Sequence, residues 1–318
     1  MSVKRTVTVG RRTLTLSNLD KLLWPEDGIT KADLVRYYFT VAPYLLPHLK
    51  GRPLTVVRYP DGIAGEGFYQ KNLPDSAPEW LPRCDVPSEE ADPISYMMAE
   101  EPAALVWLAN QGALELHPAH HRCDRLDRPD WAVVDLDPAE GATYDDVLEV
   151  AALARHILAE LGLFAYPKTS GATGIHLYLP LPRRYSYQEV SRAVGYLGKL
   201  MRERNPKKVT TERLIRNRDG KVYVDHLQNL AGKTIVAAYS PRPRPGAPVS
   251  TPVTWDELFR VKPAQFSIAT VPERLRRVGD LFAPVLARQQ DLTAVQRWFK
   301  AAGSNARPGK TAGRSIRQ

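Results

Sequence analysis

The eight residues W-A-V-V-D-L-D-P at 131–138 constrain this 318-residue chain more than any other stretch. An apolar, β-branched run bounded by turn formers reads as a strand, and its C-terminal half turns acidic. Asp135 and Asp137 lie two apart, so a strand projects both carboxylates to one face, ~6–7 Å apart along the backbone. A second such run, V-Y-V-D at 222–225, ends in Asp225. Three carboxylates converging from two strands can hold two divalent cations ~3.5–4 Å apart, as phosphoryl transfer requires. A lone strand-end Asp would more simply cap the turn that Pro138 announces. The matched pair of runs favours metal binding.

The segment T-S-G-A-T-G-I-H at 169–176 narrows the chemistry. Gly171 and Gly174 bracket a tight turn between expected strands at 163–169 and 175–180. Glycine permits the positive φ and close backbone approach that a phosphate-cradling turn needs. Ser170 adds a hydroxyl, and His176 an imidazole on the face opposite Ile175, Leu177 and Leu179.

A D-x-D strand, then S-G-x-x-G-x-H, then a third Asp, in that order, resembles the archaeo-eukaryotic primase superfamily. Within it the chain is most similar to the polymerase domain of bacterial ligase D, from L-S-N-L-D-K-L-L-W-P at 16–25 to R-P-R-P-G at 242–246. The resemblance implies a template-dependent DNA/RNA polymerase extending primer 3′-OH ends at breaks and gaps, in end-joining or gap repair, by a two-metal mechanism. It implies Mn2+ or Mg2+, two per site, with efficient use of ribonucleotides. By position, Asp135, Asp137 and Asp225 become the catalytic metal ligands. Lys50, Ser170, Gly171, His176, Arg218, Gln228 and Arg242 become the nucleotide-binding residues, with Lys50, Ser170, His176 and Arg242 at the triphosphate. Lys21 and Lys31 match positions that grip a recessed DNA 5′-phosphate. Phe68 and Tyr69 would stack on a template base, or else pack within a strand. The implied partners are primer–template, gapped or broken-end DNA, an NTP or dNTP, a Ku-type end-binding protein and a separate DNA ligase. One departure stands out: Thr173 occupies a place where family members commonly carry Lys. A metal-dependent nuclease and a non-catalytic nucleic-acid-binding module are the competing classes.

Composition agrees with a polyanion partner. Forty-four basic against 35 acidic residues give a net charge of +9. No apolar run approaches the ~18 residues of a membrane span, and the N-terminus, with Lys4, Arg5, Arg11 and Arg12, lacks a signal peptide's apolar region. A cytoplasmic location with no membrane partner is expected. Cys84 and Cys123 argue against a disulfide scaffold and fit a reducing compartment. His117, His120, His121 and Cys123 lack paired C-x-x-C elements, so a polar loop beside the active site is expected rather than a zinc site.

The fold expected is α/β (α+β), an RRM-like palm with a packed N-terminal lobe. The lobe spans 1–125, the palm and C-terminal helices 126–301, and a disordered basic tail 302–318. Capping patterns at Thr30/Asp33, Thr143/Asp146 and Ser186/Glu189 open three helices. Hairpin strands surround Gly10, further strands lie at 54–59, 68–71 and 234–239, and a helix starts at Pro102. Residues 74–93 lack periodicity and read as irregular. Helices at 255–259, 272–279 and 291–301 finish the chain.

Overall fold

The computed structural model describes residues 4–88, 92–293 and 295. The chain opens with the hairpin β1 (Lys4–Val9) and β2 (Arg12–Ser17), turned at Gly10, followed by the short pair β3 (Leu22–Trp24) and β4 (Ile29–Thr30). Helix α1 (Lys31–Leu49) starts where the Thr30/Asp33 spacing places it, with both halves of the capping box formed. Pro43 and Pro47 lie within it.

An antiparallel sheet follows. Strand β5 (Leu54–Arg58) pairs with β6 (Phe68–Gln70) and, at Leu54, with β8 (Ile94–Met97); β7 (Arg83–Val86) pairs with β8. Helix α2 (Pro102–Asn110) leads into β9 (Ala113–Pro118), which pairs antiparallel with β5. Strand β7 corrects the expectation of an irregular 74–93: its ladder with β8 is a tertiary pairing to which local periodicity is blind.

Strand β10 (Trp131–Pro138), which carries the D-x-D motif, begins the second sheet. Helix α3 (Tyr144–Glu160), β11 (Tyr166–Thr169), β12 (Ile175–Pro180), α4 (Tyr187–Arg204), β13 (Val209–Thr210) and β14 (Val222–Asp225) follow. Spatially the strands run β11-β12-β10-β14-β13, antiparallel except for β13 with β14. Leaving β13 aside, the first strand of the βαββαβ unit sits between the third and the fourth, as an RRM-like palm requires. Both expected capping boxes open α3 and α4. Short helices α5 (Trp255–Leu258), α6 (Val271–Val278) and α7 (Pro284–Ala287) close the described chain.

Residues 234–239 do not form the expected strand. They contribute one isolated bridge, Thr234 to Ala119, and then run irregularly with Tyr239 at φ 67°. Burial explains their apolar pattern: Ile235 to Tyr239 are enclosed, Ala237 N–H donates to Leu116, and Tyr37 Oη donates to the Tyr239 carbonyl. These contacts make one apolar core of lobe and palm. At the seam, Arg52 is buried, pairs with Asp130 at 2.7 Å and stacks over Trp131 at 3.5 Å, fixing the entry to β10. Cys84 and Cys123 are joined as a disulfide, where their number alone fitted a reducing compartment. The tail at 302–318 and nearly all of the helix expected at 291–301 lie outside the described residues.

Candidate active site

Register places four titratable side chains in one row. Asp135 of β10 faces Asp225 of β14 on one side and His176 of β12 on the other, and His176 faces Lys168 of β11. Directly opposed residues share a sheet face, so Lys168, His176, Asp135 and Asp225 form a continuous line across four strands. Asp137, two residues on, shares that face and opposes Tyr223. The three strand-end carboxylates therefore share one face of the sheet.

Electrostatics registers the crowding. Burial pushes the Asp135 carboxyl up to about 8, and the charges of Asp137 and Asp225 add to the effect. Burial also raises Asp137, with Arg218 pulling it down and Asp225 pushing it up. Asp225 is held by the Tyr223 hydroxyl at 3.1 Å and the Leu227 N–H at 2.9 Å. Among the described residues, no three His, Cys, Asp or Glu side chains are already gathered around one point as a formed metal cage. The donor set nonetheless fits Mg2+ or Mn2+ in kind: hard carboxylate oxygens on one face, whose mutual repulsion calls for positive charge.

The S-G-A-T-G turn is built as its glycines imply. Ser170 Oγ accepts from the N–H groups of Ala172 and Gly174 at 3.1 and 3.0 Å. Gly171 has φ +72°, and a Cβ there would lie 2.7 Å from the Ser250 nitrogen and 2.8 Å from Arg242 Cγ. At Gly174 a Cβ would meet the Leu136 carbonyl at 2.5 Å. Only glycine lets this turn press against both neighbours.

A cleft of about 320 Å³ unites half of the expected residues, Asp225 not among them. Asp135, Asp137, Ser170, His176, Gln228, Arg242 and Tyr69 line it, with Thr173, His117 and Arg244. Arg242 donates to the Ser170 carbonyl at 3.0 Å and lies 2.6 Å from Glu115. Arg218 stacks on Tyr223 at 3.8 Å and stands 3.7 Å from Asp137. Gln228 donates to the Thr234 carbonyl, while neighbouring Asn229 brackets Val133 through both its N–H and C=O. Tyr69 is exposed and meets His117 edge-on at 6.0 Å; Phe68, also exposed, lies under the Arg58 guanidinium at 5.4 Å. A second cleft, of about 600 Å³, shares Ala172 and Thr173 with the first.

Lys50 is not among the residues lining the cleft. It caps the C-terminus of α1, its side chain exposed and its carbonyl held by Arg122. Lys21 and Lys31 lie together but are engaged. Lys21 Nζ contacts Asp61 at 2.6 Å and the Pro60 carbonyl at 2.7 Å, and buried Lys31 donates to the carbonyls of Ser17 and Asn110. The first N–H groups of α1 are consumed by Lys21 O, Leu19 O and the Thr30 hydroxyl, so they form no open anion cradle.

Sequence reasoning missed two supporting groups. Glu115 is buried, with one oxygen 2.7 Å from His117 Nε2 and the other on Arg242, and these partners hold its carboxyl below the usual range despite burial. Lys168, fully enclosed, reaches His176 Nδ1 at 2.9 Å and Ser250 Oγ at 2.5 Å. Burial drives Lys168 and His176 well below their ordinary values. Of the other histidines, His120 packs against Trp131 and His121 bonds the Tyr187 hydroxyl at 2.5 Å. Cys123 is in the disulfide, so of that cluster only His117 reaches the cleft.

Comparison with known proteins follows the same lines. Residues 30–282 match the family model described as LigD, primase-polymerase domain. The multifunctional non-homologous end joining protein LigD of Mycolicibacterium smegmatis is 38% identical over 272 residues, covering 85% of this chain and 36% of that protein. The bifunctional LigD of Bacillus subtilis is 37% identical over 280 residues, covering 87% and 45%. The chain thus spans less than half the length of these relatives. A solved polymerase domain from Mycobacterium tuberculosis ligase D, in complex with DNA, superposes with a TM-score of 0.81 at 36% identity, covering 87% of this chain and 99% of that one. No helix among the described residues is long and apolar enough to cross a membrane. On sequence and fold together, the chain belongs to the LigD primase-polymerase domain family.

Proposed function

We propose that this chain is a template-dependent nucleotidyltransferase that adds ribo- or deoxyribonucleotides to primer 3′-OH ends at DNA breaks and gaps in end joining. The observation that supports it best is the row Lys168–His176–Asp135–Asp225, with Asp137 beside it and Arg242 across the cleft. Carboxylates on one side and cations on the other suit a metal-bound triphosphate. Asp135, Asp137 and Asp225 would hold Mn2+ or Mg2+. Two bound ions would acidify the primer hydroxyl and neutralise the leaving pyrophosphate.

The protein's own groups do the positioning. The tight Ser170–Gly174 turn and the Arg242 guanidinium would seat the phosphates, and His176 would present a ring N–H to them. Arg218, beside Asp137, balances charge until the ions arrive. Tyr69 and Phe68 offer ring faces to an unpaired template base. Lys21 would contact a downstream 5′-phosphate by exchanging Asp61 for it. A Ku-type end-binding protein and a ligase activity would complete repair. The nuclease alternative makes no use of the triphosphate-side cations.

Primer extension with rNTPs and dNTPs under magnesium or manganese tests this reading. Asp137→Ala should abolish extension and leave DNA binding intact, because it removes an ion ligand and no cation. Strand shortening without nucleotide addition, or near wild-type extension by the variant, would overturn it.

A further inference from the structure

Lysine is rarely enclosed completely in a protein, yet Lys168 is 0 % exposed. It stands at the outer end of the catalytic row but is not among the residues lining the cleft. Its Nζ donates to Ser250 Oγ at 2.5 Å, and Ser250 passes its own hydrogen to the Thr169 carbonyl at 2.8 Å. The other hydrogen-bond partner of Nζ is His176 Nδ1 at 2.9 Å, and the Tyr178 ring lies 5.7 Å away. An ammonium only donates, so Nδ1 is the acceptor. With Nδ1 engaged, the ring hydrogen falls to Nε2, which faces the Asp135 side of the cleft, 3.4 Å from Oδ1.

We propose that Lys168 is a positioning residue that fixes His176 as a neutral Nε2–H donor facing the catalytic cleft, where its acceptor is an anionic oxygen of a nucleoside triphosphate. The ligand rests on the polymerase reading; the tautomer does not. A donor held in place before substrate arrives costs no reorganisation during the reaction. The same contact occupies Nδ1, so His176 is not available as a base through that nitrogen. Which ring nitrogen carries the proton is set by the bond the other one makes, and here that bond comes from a buried cation.

The test begins on metal-free protein with ring-15N histidine. The His176 resonance is identified by its loss in His176→Gln, and its tautomer is read from two-bond 1H–15N couplings in wild type, Lys168→Met and Ser250→Ala. Wild type should show Nε2–H alone, Lys168→Met a tautomer mixture, and Ser250→Ala an intermediate pattern. With substrate, Lys168→Met should raise KM for the nucleotide about tenfold while kcat stays within about threefold. His176→Gln, whose amide can place an N–H near the Nε2 position, should retain more nucleotide affinity than His176→Asn, which reaches only Nδ1. An unchanged tautomer in Lys168→Met, or equal losses in the Gln and Asn variants, would overturn the proposal. Should Lys168→Met fail to fold, an unchanged ring in Ser250→Ala overturns it instead. A chain that incorporates no nucleotide would remove the polymerase reading, while the substrate-free spectra would still decide the role of Lys168.

Discussion

Asp135→Asn should stabilise the metal-free protein while destroying its activity. The Asp135 carboxyl has an ordinary value of 3.8 and sits at about 8 in the folded chain, raised by burial, by Asp137 and by Asp225. Between those values the folded state holds a proton that the unfolded state has lost, so stability falls as pH rises through the window. Each unit costs ~1.4 kcal/mol, and roughly four units set an upper bound of ~6 kcal/mol. Local rearrangement and water entry should leave ~2–4 kcal/mol of this at pH 8. Asparagine keeps the shape of the protonated acid and never ionises. Urea unfolding in chelator should therefore show the variant more stable at pH 8, with the gap closing as pH approaches 4. Manganese should stabilise wild type at pH 8 far more than the variant, because the ions neutralise the charge that costs the stability. Equal unfolding free energies at pH 8 in chelator would refute the claim that this carboxylate is held under repulsion.

Other predictions follow from single contacts. Asn229→Ala leaves the buried Val133 N–H and C=O unpaired and should cost ~2–4 kcal/mol in denaturant unfolding, lowering extension only through loss of folded protein. Gly171→Ala must place a methyl against the Ser250 nitrogen and Arg242 at positive φ; nucleotide KM should rise at least as steeply as stability falls. Thr173→Lys restores a cation at the seam of the two clefts and should tighten nucleotide or template binding, measured by fluorescence anisotropy. Lys21→Ala should erase any preference of extension for gapped DNA with a downstream 5′-phosphate over 5′-OH, leaving simple primer–template unaffected; equal losses on both would mean generic electrostatics.

The palm was legible because its signals are local. Two N-cap residues with an acid three positions on, an alternating D-x-D strand and a glycine-bracketed turn each carry their geometry within a few residues. The failures occur where geometry comes from elsewhere in the chain. Residues 234–239 are apolar because they pack on Leu116 and Tyr37, and periodicity cannot distinguish that burial from a strand's. Strand β7 sits in a proline-punctuated stretch and is defined by its ladder with β8. The cysteines meet across 39 residues, a closeness no count of cysteines reveals.

The site divides the same way, between groups that would touch the substrate and groups that hold them. Asp135, Asp137, Ser170 and His176 lie in motifs whose spacing announces their chemistry. Glu115 and Lys168 do not, since a single acid in A-L-E-L-H or a single Lys before T-S-G reads as an outward-facing residue on a half-buried strand. Their roles appear only when β9 meets Arg242 and β11 meets β12 and Ser250. Lys50 is the contrasting case: the resemblance assigns it to the triphosphate, and it lies exposed at the end of α1, outside the cleft lining, with no local packing to mark it. Buried charge is costly enough that each enclosed Lys or Glu must find partners, whereas an exposed Lys needs none. Burial beside a motif residue therefore marks Glu115 and Lys168, which no spacing in the sequence marks.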